Sequence, residues 1–152
     1  MANTQAMCTT FMEELLEGVH NFTTGTGDTF KAALYLASAT YNASTTAYST
    51  TGEVTGTGYT AGGVNVTNGT SPAATNTSAT AGVAYWTPSA SITYTSVTLT
   101  TAFDAVLIYN SSKSNRAVSV HTFGSQTITA GTFTLTMPSN TTSTALIRLA
   151  TT

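Results

Sequence analysis

Apolar positions along this chain follow two periods, helical near the start and strand-like from residue 30 onward. Phe11, Leu15, Val19 and Phe22 recur at helical spacing, with Met12 and Leu16 widening the stripe. This predicts one amphipathic helix over residues 10–22. Thr10 followed by Glu13 matches a capping box, and Glu13, Glu14 and Glu17 set negative charge toward the positive end of the helix dipole. Such a helix either caps one end of a β fold or docks on a partner. A Gly/Thr turn over 24–28 closes this N-terminal arm, residues 1–28. The period then changes to two. Phe30, Ala32, Leu34 and Leu36 share one face and Lys31, Ala33 and Tyr35 the other, which predicts a half-buried strand. Short strands are expected at 46–49 and 53–57. From 61 to 82 the residues are almost all Gly, Thr, Ser, Asn and Ala around a single Pro72, with Val64 and Val66 marking a brief strand. So little to bury does not offset ordering entropy, so a long loop is expected, a candidate contact with another subunit.

The second half is denser in strand signals. Candidates are 83–87, then Ile92, Tyr94, Val97 and Leu99 with intervening threonines facing water, then 103–109 as a central strand covered on both faces. A turn at 110–115 returns the chain through 117–123 as the antiparallel partner, followed by 126–129, 132–137 and 145–149, with Gly131 and Pro138 as punctuation. Many short strands with regular turn signals predict one all-β domain spanning 1–152, a jelly-roll-like β-sandwich with one short N-terminal α-helix. No period of roughly 20 to 50 residues links the strands, so a repeat architecture is not expected.

Composition sharpens the picture. Only ten of 152 residues carry formal charge, while threonine supplies about a quarter of the chain; soluble domains are typically about 25% charged. The surface is therefore wetted by hydroxyls in place of ions, which suits a permanent assembly. Lys31, Lys113, Arg116 and Arg148 form no stripe of cations, so nucleic acid is not an expected partner. Cys8 is the single cysteine, which rules out an internal disulfide. Residues 1–7 lack a basic segment followed by an apolar one, and no run of about twenty apolar residues appears, so a membrane partner is not expected and folding in a cytosol is. Several Asn-x-Ser/Thr triplets, such as those at Asn21, Asn65, Asn68 and Asn110, follow from hydroxyl abundance more simply than from glycosylation.

Candidate chemistry is thin. His20 and His121 are the only histidines and lie in neither His-x-x-x-His nor Cys-paired spacing, so neither a metal nor another cofactor is expected. Ser119, His121 and Asp104 make a triad on paper, but no Gly-x-Ser-x-Gly elbow supports it. His121 reads as a half-buried strand residue with a hydrogen-bond partner. Glu53 and Asp104 are the sole plausible carboxylate pair for glycoside hydrolysis, and they read more simply as an exposed strand residue and a strand-end hydrogen bonder. The stretch from Thr57 to Gly63 resembles a phosphate cradle in composition alone and reads as turns, because no helix follows it. No catalytic residue is assigned and an enzyme is not expected. Tyr85 and Trp86 are the best specific contacts: as strand neighbours they face opposite sides, so one ring fills the core while the other stacks on a sugar or anchors an interface. With Phe11, Leu15 and Val19 they form the candidate interface set.

Four stretches, Ala32-Ala33-Leu34-Tyr35-Leu36-Ala37, Ala84-Tyr85-Trp86-Thr87-Pro88, 103–110 (Phe-Asp-Ala-Val-Leu-Ile-Tyr-Asn) and 127–133 (Thr-Ile-Thr-Ala-Gly-Thr-Phe), resemble small structural proteins of tailed bacteriophages. In style the chain is similar to capsid cement or decoration proteins. The resemblance covers most of the chain from about residue 30. It implies a β-sandwich or jelly-roll subunit on the outside of the phage head, made in the host cytoplasm, bound to the major capsid protein and to copies of itself, often as trimers. Cement families share no catalytic motif, so no residue roles carry over. The other class the residues suggest is a neck, tail-fibre or adhesin module reading a host glycan through Trp86 or Tyr85.

Overall fold

The computed structural model describes residues 2–75 and 82–151. Eight strands are assigned among them: β1 Ala6–Met7, β2 Phe30–Leu36, β3 Val64–Asn65, β4 Ala73–Ala74, β5 Val83–Trp86, β6 Ile92–Asn110, β7 Arg116–Leu135 and β8 Ile147–Ala150, with one helix, α1 Thr9–Leu16. The protein is mostly β. A five-stranded sheet runs β1-β7-β6-β2-β3 and a three-stranded sheet runs β4-β5-β8, every neighbouring pair antiparallel.

Two strands dominate. The expected separate segments at 92–99 and 103–109 are one continuous β6, and those at 117–123, 126–129 and 132–137 are one β7 that ends at Leu135. Bulges carry the chain through the places where the apolar phase slips, with register shifts at Tyr94/Val97, Val97/Leu99, Leu99/Phe103 and Phe103/Ala105 and left-handed backbone at Ser96 and Ala130. The bulges bend β6 strongly. Ala32 of β2 faces Ile108, yet its carbonyl also accepts a 2.7 Å hydrogen bond from Tyr94 Oη, far upstream in the same β6. An extended chain between positions 94 and 108 would span roughly 45 Å, so the upstream part of β6 must curl back over the sheet. Ile92, Tyr94, Val97 and Leu99 thereby reach the same core as Phe103, Val106, Leu107 and Ile108, all at most 2% exposed.

The expected central strand is present: Phe103 and every residue from Ala105 to Asn110 are buried, and β6 lies between β7 and β2. The expectation of a half-buried strand at 30–36 is corrected, because Ala33 and Tyr35 are as buried as Leu34. Loop segments cover that second face. Val54 N donates to Leu34 O at 3.0 Å, and Tyr35 forms an isolated bridge with Glu53. The expected strands at 46–49 and 53–57 reduce to isolated bridges at Ala47, Glu53 and Thr57. Within 61–82, β3 matches the Val64 signal, while β4 pairs two exposed alanines that carried none; residues 76–81 of that stretch lie outside the described residues. Gly63 sets β3 against β2, since a Cβ there would stand 1.6 Å from the Ala32 carbonyl oxygen.

The helix is shorter than its sequence pattern. It stops at Leu16 because Gly18 adopts φ +72° and closes a Schellman turn, with Val19 N bonded to Glu14 O at 2.9 Å and Gly18 N to Leu15 O at 3.2 Å. Val19 and Phe22 therefore lie beyond it. The capping box is also corrected. Cys8 is the N-cap, with no side-chain cap bond, Thr10 Oγ1 is buried without a partner, and Glu17 sits at the C-terminal end. Among the described residues no helix is long and apolar enough to cross a membrane.

Candidate functional site

Four of the five candidate interface residues meet in one place. Phe11 and Leu15 of α1 and Tyr85 and Trp86 of β5 line an apolar pocket of about 90 Å³, with Phe22, Ile147 and Leu149. The helix reaches the small sheet through a chain of ring contacts. Phe22 packs on Phe30 at 4.3 Å and on Trp86 at 4.8 Å, and Phe11 lies 6.0 Å from Phe22. Val19 is half-buried and lies outside the pocket. Among the described residues three large apolar side chains are exposed: Leu149 at 46%, which lines this pocket, and Met12 at 45% and Leu16 at 92%, which follow the pocket residues Phe11 and Leu15 on α1. The sequence reading placed Leu16 inside the helix stripe, but the early Schellman turn leaves it in solvent.

Of the two neighbouring rings, Trp86 is the one in the core. Trp86 is 2% exposed and its Nε1 donates to Asn68 Oδ1 at 3.1 Å and Thr70 O at 3.0 Å. It presents no free face to a sugar, and a Trp86→Ala variant would report folding ahead of recognition. Tyr85 is the half-exposed ring.

A second constellation was misread from sequence. Glu53, expected to be exposed, is 6% exposed. Its Oε2 accepts from Tyr48 Oη at 2.7 Å, and its Oε1 from Tyr59 Oη at 2.7 Å and Gly62 N at 2.8 Å. Tyr109, stacked 4.7 Å from Tyr48, donates to Gly62 O at 2.8 Å and so fixes the same turn. Burial first and the Glu53 carboxylate second hold the Tyr48 and Tyr59 hydroxyls above their ordinary range, and the same two causes push Tyr109 up to about 12. All of these hydroxyls stay protonated at neutral pH and serve as donors. The carboxylate is satisfied by these hydrogen bonds and draws loop 53–62 together with Tyr48, while the Tyr109 bond ties that loop to β6. Spacing alone gave one hint, the tyrosines at 48 and 59 flanking a lone acid.

A third cluster gathers most of the paired charge. His20 Nε2 lies 2.6 Å from buried Glu14 Oε2, Arg116 pairs with Glu14 Oε1, and Lys113 lies 3.8 Å from Asp28. Asn110 Nδ2 donates to His20 Nδ1 at 2.9 Å and to Asp28 Oδ2 at 2.8 Å. With Nδ1 accepting, Nε2 carries the proton donated to Glu14. This network fastens the helix to the β6–β7 turn. Asn110, one of the Asn-x-Ser positions, is fully buried in it.

The paper triad does not assemble. Ser119 Oγ lies 2.9 Å from His121 Nε2, but Asp104 Oδ1 is held by Asn3 Nδ2 at 2.6 Å and makes no bond to His121. His121 is half-buried with a hydrogen-bond partner, as its strand position suggested, and burial lowers its pKa to about 4. Glu53 and Asp104 each have separate partners. Burial, with the charge of Glu14 second, raises the Cys8 thiol to about 12. No group of three or more His, Cys, Asp or Glu side chains among the described residues is arranged to hold a metal ion. Comparison with protein-family models, curated proteins and solved structures finds no match to this chain.

Proposed function

We propose that this chain is a structural virion protein, a capsid cement or decoration subunit that binds the outside of a tailed-phage head and stabilises the shell by bridging capsomers. The observation that carries the reading is the apolar pocket between α1 and β5, with Leu149 of its lining and Met12 and Leu16 of the same helix in solvent. A chain that works alone has little reason to expose large aliphatic side chains on the elements that frame an apolar pocket, whereas a subunit seated on a scaffold buries them. The major capsid protein is the partner of this patch. The hydroxyl coat supports the same reading: Thr, Ser and Asn offer short donors and acceptors that lose less side-chain entropy on fixing than Lys or Glu. Many weak contacts then add by avidity across a shell. The finer architecture, a jelly-roll-like sandwich of the two sheets, belongs to this reading and draws support from β6 curling over its own sheet.

Heads assembled with and without the protein test it. Heads carrying it should keep their DNA at a temperature, or under an osmotic shock or chelator, that opens bare heads. The Leu16→Asp variant should fold normally, because its side chain touches little, yet lose at least about tenfold in head binding. Equal stability of bare and decorated heads would remove the reading.

A further inference from the structure

The outer edge of β7 changes character along its length. From residue 115 to 120 it is covered: Ala6 and Met7 of β1 pair with Val120 and Ser119, Cys8 N donates to Val118 O at 3.0 Å, Ala117 N to Thr46 O at 3.0 Å, and Tyr48 N to Asn115 O at 2.9 Å. Beyond Thr122 the described residues supply no hydrogen bond to that edge; the contacts of 124–135 run inward to β6, as in Ala130 N to Thr98 Oγ1 at 3.0 Å. An open row of strand N–H and C=O groups is a template for another strand, and proteins blunt such edges with charge, proline, brevity, bulges or a cover. Of these devices the described residues give this edge only bulges, between Thr122 and Gln126 and between Ile128 and Gly131. No Lys, Arg, Asp or Glu occurs between Arg116 and Arg148, the first proline is Pro138, and the run continues to Leu135. The left-handed Ala130 bends the strand, but puts no charge on its edge.

We propose that β7 over residues 124–135 pairs edge to edge, antiparallel, with the same segment of a second copy of this chain. The occupant follows from charge. A partner strand bearing ions would find no counter-charge on this neutral row, so charge matching favours a partner strand that is itself ion-free over a comparable length. The chain carries such a segment at the symmetric position. A two-fold axis sets Thr127, Thr129, Thr132 and Thr134, all exposed, against residues of the same neutral set, and threonine pairs across antiparallel strands are favourable. The unit built this way is a dimer, in place of the trimer that the family resemblance implies. The inference rests on the reading of the chain as an assembling subunit and deepens it by naming the self-contact.

Sedimentation equilibrium of the full chain should give a dimer, and Thr129→Lys/Thr132→Lys should raise its dissociation constant by on the order of a hundredfold. Circular dichroism of that variant should match wild type, as should its urea midpoint at concentrations low enough that both are monomers, since both side chains are exposed. Amide exchange on wild type needs no variant: protection within 124–135 should rise with protein concentration. A wild-type monomer or trimer, a variant that stays dimeric, or concentration-dependent protection elsewhere overturns the pairing. A monomeric variant that still stabilises heads supports the pairing and leaves the cement reading intact. A wild-type dimer that never binds heads supports the pairing and removes the cement reading.

Discussion

Glu53 and His121 are two titratable side chains taken out of water in different company, and the company decides what each does. Glu53 meets two tyrosine hydroxyls and a backbone N–H, so its charge is spread over three donors. Replacing it with glutamine keeps the shape but turns one acceptor oxygen into a donor that faces a hydroxyl also set to donate. The Glu53→Gln variant should lose about 1 to 3 kcal/mol, read as a lower urea midpoint at unchanged slope. An unmoved midpoint would mean that the tyrosines hold the loop without the carboxylate. His121 has Ser119 as its hydrogen-bond partner, and burial depresses its pKa from 6.5 to about 4. The unfolded chain therefore binds a proton that the folded chain refuses between those values. Stability is full above pH 6.5, falls as pH drops toward 4 and flattens below, for a loss of at most about 3 kcal/mol. Urea titrations of wild type and His121→Gln from pH 7.5 to 4 check this, and the two curves should converge as pH falls. Parallel curves would place the acid sensitivity on other groups.

At the scale of elements, bulges and caps explain both what the pattern revealed and what it hid. Buried positions at 92 and 94 followed by 97 and 99 contain a three-residue step, and a period of two cannot cross it without an extra residue. That step is the bulge at Ser96, so the strand was legible but its continuity was not, because a phase break reads equally as a turn. The same holds between Ile128 and Phe133, where Ala130 takes the left-handed turn. The helix failed in the opposite direction. Its apolar spacing runs on to Phe22, but Gly18 ends the backbone first, and a glycine at that position is a stop signal that periodicity overrode. That four of the five candidate residues meet in one pocket follows from each being a large apolar side chain in an otherwise small-residue chain. Glu53 was not legible, because burial of a lone acid depends on tyrosines brought to it by loop closure, which no local pattern encodes.

For the whole molecule, the distribution of charge sets how it meets anything else. Glu14, Asp28, Lys113 and Arg116 are spent in the helix-locking network, and Glu53 and Asp104 in internal hydrogen bonds. Glu13, Glu17, Lys31 and Arg148 remain, and Arg148 Nε already donates to Thr142 O at 2.6 Å. With so few free ions, neither the apolar patch around Leu16 nor the neutral edge of β7 can rely on ion pairing. Ionic contacts weaken as salt shortens the Debye length from about 10 Å at 0.1 M to about 3 Å at 1 M, whereas apolar burial and backbone pairing are little affected. Binding to heads and dimerisation should therefore both hold within about twofold between 0.05 and 0.5 M NaCl. Titration of labelled protein onto purified heads across that range measures the first, and sedimentation the second. A tenfold loss of head affinity would assign that contact to the few exposed charges, foremost Glu13 and Glu17 on the helix, and would move the docking surface from the apolar pocket to the acidic side of α1.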